Sequence, residues 1–430
     1  MITDLDQAVE WLTTLHRFGI KLGLEQTRKL AALCSSPEKE LKFIHLAGTN
    51  GKGSTGAMLE SALRNSGFVT GFYSSPHLIS PCERFRVNGR AIDPDEFARS
   101  AEVVRQAAGK MRESGASVTY FEATTVMAML IFLEHKCDYV IWETGMGGRL
   151  DSTNIVTPEV SVITNIALDH EKFLGSSIAE IAAEKAGIIK PGVPVVCGSL
   201  PEAARNVIRQ RAGECGSVFT EVQTGRIDAV AQVRENFQSF SFENENIELS
   251  LNGPMQQRNS ALAITVLKTL NLWNERARAG LKQTRWPGRM ELLCDCRIML
   301  DGGHNPDGLT ALSETLRKLY PGKKFHWIFG AFADKDFTGG LQVIAPLAES
   351  LGAVSFAEEA RLSAAPEDIC VKAAGMGIGE TFVIDDLPAY LDEIKQRERG
   401  EVPVVIAGSL YLAGEVLAHL EKDKHALDLH

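Results

Sequence analysis

The 430-residue sequence has eight cysteines and no Cys-x-x-Cys pair among them; they stand at 34, 82, 137, 197, 215, 294, 296 and 370. That spacing offers neither a zinc site nor a disulfide framework, and it fits reduced thiols in the cytoplasm. Cys294 and Cys296, two apart, are expected on one face of a strand. Positive charge is not in surplus either: 45 Lys and Arg against 55 Asp and Glu leave a net charge of −10. General nucleic-acid affinity is therefore not expected, although a local basic pocket for an anion is compatible with it. No apolar run is long enough to span a bilayer. The opening stretch MITDLDQAVEWL is acidic and amphipathic, unlike a signal peptide, and no membrane association is expected. Internal repeats and low-complexity tracts are absent too.

What is present is an alternation. Short apolar runs at 42–48, 68–74, 138–145, 160–167 and 193–199 are bounded by Gly, Pro, Ser or Asn and predict buried strands. Between them, 54–67, 94–111, 120–136 and 177–189 carry helical periodicity. This is the pattern of an α/β domain with a mainly parallel sheet. FQSFSFENENIELSLNG (237–253) alternates with period two and predicts one or two antiparallel strands. The stretch 259–271 returns to helix. After RWPGRMELL a second α/β series begins, with strands predicted in RIMLDGG, KFHWIFGAF, AVSFAE and PVVIAGS. Two domains follow, 1–285 and a smaller 286–430, with the boundary near Trp286–Arg289. The polar clusters 48–54, 74–78, 143–154, 165–170, 301–305, 331–336 and Ser409 fall at predicted strand ends. Ligands bind at the carboxyl ends of parallel strands, so these clusters mark an active site drawn from both domains.

HLAGTNGKGSTGAML (45–59) sets a lysine between glycines but departs from G-x-x-x-x-G-K-[ST]. Leu46 replaces the first glycine, and the hydroxyl beside the lysine moves to Ser54. Gly48, Gly51 and Gly53 let the backbone approach an anion. Backbone N–H groups and the helix N-terminus that follows would hold phosphate oxygens, with Lys52 as a point charge on the outer phosphates. The plainer alternative is a strand–helix turn with Ser54 as N-cap. Glu143 ends an apolar strand, where a carboxylate is costly without a cation; its alternative is a loop salt bridge. Lys185 continues the apolar face of Ile178, Ile181 and Ala182, so it either snorkels or is modified. Arg149 faces an anion or pairs with Asp151. Asp151 and Asn154 read as loop-fixing groups.

The loop GTNGKGS resembles that of the Mur-ligase superfamily, and most closely its folylpolyglutamate synthase branch. Further motifs accumulate in order: SSPHL (74–78), YFEATT (120–125), ETGMGGRLDSTN (143–154), ALDH (167–170), EKAGIIK (184–190), WPGRME (286–291), DGGHNPDG (301–308), DKDF (334–337) and GSLYL (408–412). GIKLGLEQT (19–27) departs from the family's usual Pro at Leu22 and Arg at Gln26, in the substrate-side loop that the resemblance links to acceptor choice. Met255 replaces the usual His in NGPMQQRN.

The resemblance implies an α/β fold, with an N-terminal P-loop ATPase domain and a smaller Rossmann-like C-terminal domain. It also implies an ATP-dependent ligase. ATP phosphorylates the γ-carboxyl of a folate glutamate, and free L-glutamate attacks the acyl phosphate. Dihydropteroate is a further acceptor in many bacterial members. Gly48, Thr49, Asn50, Gly51, Lys52, Gly53 and Ser54 would bind the nucleotide, with Gln256 and Asn259 near the base and Asp301 and Arg289 also holding it. Ser75 and Glu143 would ligate a first Mg²⁺. His170 would ligate a second, and a carbamylated Lys185 would be a further metal ligand. His304 would lie at the reaction centre, Arg289 on the transferring phosphate, and Ser409, otherwise an N-cap, near the incoming glutamate. A monomer is implied. A Mur-type ligase for another acid acceptor, a P-loop switch without ligase chemistry and an inactive folate-binding module are the competing readings. A switch has no use for DGGHNPDG.

Overall fold

The computed structural model describes residues 1–15, 23–223, 225, 227–234, 237–357, 361–398 and 400–420. Leu22, one of the two departures in GIKLGLEQT, lies outside them. The chain divides into two compact units. The first is Met1–Asp228, Ser241–Glu248 and Arg258–Thr284; the second is Ala229–Phe240, Leu249–Gln257 and Arg285–His430.

The first unit holds an eight-stranded sheet. Its strands are β1 (Phe43–Ala47), β2 (Thr70–Tyr73), β3 (Phe85–Val87), β4 (Arg90–Ala91), β5 (Tyr139–Glu143), β6 (Val160–Ile163), β7 (Val195–Cys197) and β8 (Phe219–Glu221). The order is β4-β3-β2-β5-β1-β6-β7-β8, parallel except for β3 and β4. Every residue of β1 is buried. FIHLA and YVIWE are near-continuous apolar runs because both faces of a parallel sheet are covered. A core of Phe43, Tyr73, Phe85, Phe97, Phe132 and Trp142 gathers under the helices Pro94–Glu113 and Tyr120–Glu134. A second core, around Ile163, Ile181, Val195 and Ile208, packs the helices Ile178–Ala186 and Glu202–Glu214.

Beyond these lies a three-stranded sheet of β9 (Ile227–Arg234), β10 (Phe237–Phe242) and β11 (Glu245–Leu249), in the order β11-β10-β9. Glu243 and Asn244 both take positive φ, 50° and 66°, as a two-residue hairpin turn requires. The period-two reading holds for β10 and β11; β9 was not marked by it.

The second unit's sheet runs β12-β13-β17-β14-β15-β16. Its strands are β12 (Glu291–Leu293), β13 (Ile298–Leu300), β14 (Phe325–Phe329), β15 (Ala348–Ala353), β16 (Glu380–Val383) and β17 (Val404–Ala407). Only β12 is antiparallel to its neighbour. Its core centres on Phe325, Trp327, Phe329, Leu312 and Leu351. Two expectations are corrected here. The strand assigned to AVSFAE is AESLGA, β15, upstream of it. Its composition is poor in β-formers, and pairing on both sides decides it. Cys294 and Cys296 are not on a strand face. They sit in the turn from β12 to β13, with φ of 52° and 65°. All eight cysteines are free. Among the described residues no helix is long and apolar enough to cross a membrane.

The helix Lys52–Asn65 lies against the sheet through Gly56. A Cβ there would come within 2.5 Å of Phe72 Cζ and 3.1 Å of Ile141 Cγ2. Gly56→Ala is therefore expected to destabilise the protein by about 1–3 kcal/mol through overpacking. A urea titration reads this as a lowered midpoint, and an unchanged midpoint would refute the tight approach.

Candidate active site

Strand β1 lies between β5 and β6, and the chain leaves β1 toward β2 on one side and β5 toward β6 on the other. A crevice for ligands forms at the carboxyl ends of strands where the order reverses in this way. Residues 48–52 follow β1. Glu143 is the last residue of β5, paired in register with Leu46. Thr164 and Asn165 follow β6.

The loop after β1 is tied to the loop after β6. Thr49 N donates to Asn165 O at 3.0 Å, and Asn50 N to Asn165 Oδ1 at 2.6 Å. Thr49 Oγ1 accepts from Ala167 N and donates to Ala167 O, both at 3.1 Å. Thr164 Oγ1 donates to Asn50 O at 2.6 Å. A Cβ on Gly48 would fall 1.8 Å from Thr164 Oγ1. Gly51, at φ 84°, caps the Lys52–Asn65 helix, and its Cβ would fall 2.7 Å from Asn259 Oδ1. Asn259 is thereby placed against the loop. Lys52 Nζ donates to Gly48 O at 3.0 Å and stands 3.8 Å from Glu143 Oε1. Gly53 and Ser54 are in the helix's first turn, Ser54 buried. The N-cap position belongs to Gly51, so the reading of Ser54 as N-cap is set aside.

After Glu143 the chain turns through 144–151 and docks on the Ile178–Ala186 helix. Arg149 N donates to Glu184 O at 2.7 Å, and a Cβ on Gly148 would lie 2.9 Å from the same oxygen. The Arg149 guanidinium pairs with Glu184 at 2.6 Å, not with Asp151. Asp151 instead accepts from Met146 N at 2.8 Å and from the Thr153 hydroxyl at 2.5 Å. Asn154 Nδ2 donates to the Arg149 and Gly187 carbonyls at 2.9 and 3.0 Å. Both side chains fix the loop, as expected. Lys185 is only 3% exposed, which excludes snorkelling. Burial, with Lys52 adding to it, pushes its amine down to about 7, while Asp169 and Asp151 oppose that. Burial likewise raises the Asp151 carboxyl, against the pull of its donors and Lys52.

Ser75 is half-buried in the loop after β2, next to buried Ser74. His170 is exposed, at φ 54°, at the start of the helix Glu171–Leu174, and its N–H donates to Asp169 Oδ1 at 2.8 Å. Among the described residues, no group of three or more His, Cys, Asp and Glu side chains converges as a metal site. The oxygen donors Glu143 and Ser75 still suit a hard cation such as Mg²⁺. It takes one or two protein oxygens and keeps its remaining places for water and phosphate.

In the second unit, Asp301 follows β13 and Ser409 follows β17, strands that are neighbours. Gly408 N donates to Gly303 O at 2.9 Å, joining the two segments. Asp301 is buried and accepts from Met290 N at 3.0 Å and Gly303 N at 2.8 Å. Burial raises its carboxyl, with Arg289 opposing. A Cβ on Gly302 would meet Arg289 Nη1 at 2.5 Å, so the guanidinium lies across this segment. His304 Nδ1 and Gly302 O are 3.1 Å apart. Ser409 Oγ accepts from Tyr411 N at 3.1 Å, the capping bond its position predicts. Gln256 is fully buried near the start of the helix Pro254–Thr269.

Sequence reasoning passed over two groups. In the sequence Asn165 is only one member of a polar cluster, yet it anchors the loop after β1 by side chain and backbone. In the sequence His45 is only a member of the strand run KFIHLAG. Its one available signal was a polar residue inside an otherwise apolar run.

Two models of known families match the chain: the Mur ligase middle domain over residues 46–267 and the Mur ligase glutamate ligase domain over 288–410. The dihydrofolate synthase/folylpolyglutamate synthase of Bacillus subtilis is 34% identical, across 98% of this chain and all of that one. Among solved structures, Mycobacterium tuberculosis folylpolyglutamate synthase complexed with ADP and AMPPCP superposes with a TM-score of 0.87 at 26% identity, covering 97% of this chain and 98% of that one. E. coli FolC in complex with DHPP and ADP gives 0.83 at 29% identity, covering 97% and 98%.

The buried amine has a consequence for stability. Folded Lys185 gives up its proton near 7, whereas its ordinary value is 10.5. Between those values the unfolded chain binds more protons, so this residue's contribution makes stability rise with pH across that window. Lys185→Met should flatten the rise. The check is urea unfolding of both proteins from pH 7 to 9 in CO₂-free buffer; identical slopes would contradict a buried amine.

Proposed function

This chain belongs to the folylpolyglutamate and dihydrofolate synthase family of Mur ligases, and on that premise we propose that it joins L-glutamate to the γ-carboxyl of a folate's glutamate at the expense of ATP. The observation that carries the reading is the Lys52–Glu143 pair. A cation and a carboxylate, both largely shielded from water, face each other at the carboxyl ends of adjacent central strands. Buried pairs of this kind are poor stabilisers and cluster where charge has to be handled.

The chemistry needs such a place. A carboxylate is a poor electrophile until a phosphoryl group converts one oxygen into a leaving group. The acceptor's carboxylate oxygen attacks the γ-phosphorus, and ADP departs. The glutamate amine then attacks the acyl carbon, loses a proton and expels inorganic phosphate. Catalysis lies in bringing anions together and balancing charge on the transferring group. We assign the N–H groups of residues 48–54 and Lys52 to the nucleotide phosphates, and Asn259 and Gln256 to the base. Magnesium held by Glu143 and Ser75, with His170 and a carbamylated Lys185 at a second position, would supply positive charge across the phosphoryl group. A buried amine near 7 is partly neutral, the form that reacts with CO₂. In the second unit we assign Asp301 to the nucleotide, Arg289 to the transferring phosphate, for which a guanidinium's paired donors are suited, His304 to the reacting centre and Ser409 to the incoming glutamate. We take one chain as the working unit. Eight free cysteines support a cytoplasmic location.

The defining experiment supplies ATP, Mg²⁺ and glutamate with either tetrahydrofolate or dihydropteroate, and follows phosphate release and product mass. A glutamate-sized gain on tetrahydrofolate establishes the synthase. A gain on dihydropteroate as well gives the double activity that the Bacillus subtilis relative's name carries. Phosphate release with neither acceptor sinks the folate assignment. Lys52→Met should lower turnover by about 10²–10³-fold while the far-ultraviolet circular dichroism stays unchanged. Retained turnover would remove the loop from the mechanism.

A further inference from the structure

His45 lies in the middle of β1, with no exposed surface, and faces a buried network that the proposed chemistry leaves unused. Its Nε2 is 3.0 Å from Thr153 Oγ1. The Thr153 hydroxyl is 2.5 Å from Asp151 Oδ1, which also accepts Thr153 N at 3.0 Å, while Asp151 Oδ2 accepts Met146 N at 2.8 Å. Trp142, beside His45 in the ladder, donates its indole N–H to Thr153 O at 2.9 Å. The turn is thus pinned to the sheet by two side chains from adjacent strands.

Hydrogen counting fixes the direction of this chain. A threonine hydroxyl has one hydrogen, and the short contact to a carboxylate uses it. The imidazole facing the same oxygen must then bring its own hydrogen, on Nε2. Burial, with Lys190 adding to it, holds the ring neutral, pushed down to about 3, so it has only that one N–H. The other nitrogen, Nδ1, is buried without a hydrogen-bond partner, as a bare acceptor would be and an orphaned N–H would not readily be. A ring carrying its hydrogen on Nδ1 would take the Thr153 proton and leave Asp151 Oδ1 with a single backbone donor.

We propose that His45 is a positioning residue whose Nε2–H tautomer directs the Thr153 hydroxyl onto Asp151 and so fixes the loop that follows Glu143. Asp151 holds Met146, three residues beyond Glu143, and stands in the electrostatic field of both Lys52 and Lys185. The histidine therefore sets, from the strand that leads into the phosphate loop, the orientation of a carboxylate on the facing loop. Its kinetic consequence rests on the ligase reading; its tautomer does not.

The test uses the full chain. ¹⁵N-histidine NMR reads the ring directly and should show Nε2–H with a bare Nδ1. In Thr153→Val the His45 signal should shift and its N–H should exchange faster. Kinetically, His45→Phe and Thr153→Val should each lower kcat by up to about 100-fold, the scale of a misplaced group, with the KM for ATP little changed. The double variant should fall no further than either single one, because both break one chain. His45→Gln, whose amide N–H reaches the Nε2 position, should recover most of the loss, and its recovery also guards against a variant that merely misfolds. An Nδ1–H ring in the wild type overturns the proposal. So do additive losses, or a lowered melting temperature with unchanged kcat. A wild type inactive with every folate acceptor sinks the ligase reading and leaves the tautomer and its response to Thr153→Val to decide this one.

Discussion

Lys52 and Glu143 stand 3.8 Å apart with side chains 15% and 6% exposed, at the carboxyl ends of the adjacent central strands β1 and β5. Most of the first unit's arrangement follows from having to keep that pair. The charges cannot move into the sheet, because β1, β5 and β6 are covered on both faces. Nor can they spread into solvent while the loop that carries Lys52 is packed, at glycines 48 and 51, against Thr164 and Asn259. They are therefore confined to the strand ends, and the surrounding loops supply the donors and acceptors that make confinement tolerable.

Those loops are rigid for reasons visible at particular atoms. The segment after β6 holds the loop after β1 with five hydrogen bonds, through Thr164, Asn165 and Ala167. The segment after β5 is clamped between the sheet, through Asp151, Thr153 and His45, and the helix that carries Lys185. A lysine on that helix's apolar face is a misfit for packing alone. Its burial beside Lys52 favours the neutral amine over the ammonium. The second unit repeats the principle with a different cast. Asp301 is held by two backbone donors, and Arg289 lies across the glycine that follows it.

The sequence was legible wherever one chemical pattern had one structural solution. Apolar runs with turn residues at both ends located β1, β2, β5, β6 and β7 to within a few residues, and the polar clusters at their ends proved to follow the strands' carboxyl termini. It was misleading where composition and pairing disagreed. AESLGA has little strand character, yet it pairs on both sides. Cys294 and Cys296 have strand-like spacing but occupy a left-handed turn. Arg149, expected to face an anion or to pair with Asp151, pairs instead with Glu184, which packing of the loop on the Ile178–Ala186 helix brings to it.

By itself, then, the chain's order of residues determined the parallel α/β layout, the glycine-rich loop after β1 and the family motifs, because periodicity and short motifs are local. Only the tertiary structure decided that Lys185 is buried rather than snorkelling, that Asn165 anchors Asn50, that Asn259 meets Gly51 and that His45 joins Thr153. Each of these depends on residues far apart in the chain, from 34 positions between Asp151 and Lys185 to 208 between Gly51 and Asn259. Desolvation and the direction of a hydrogen bond are properties of what surrounds an atom, and that is settled only when distant segments meet.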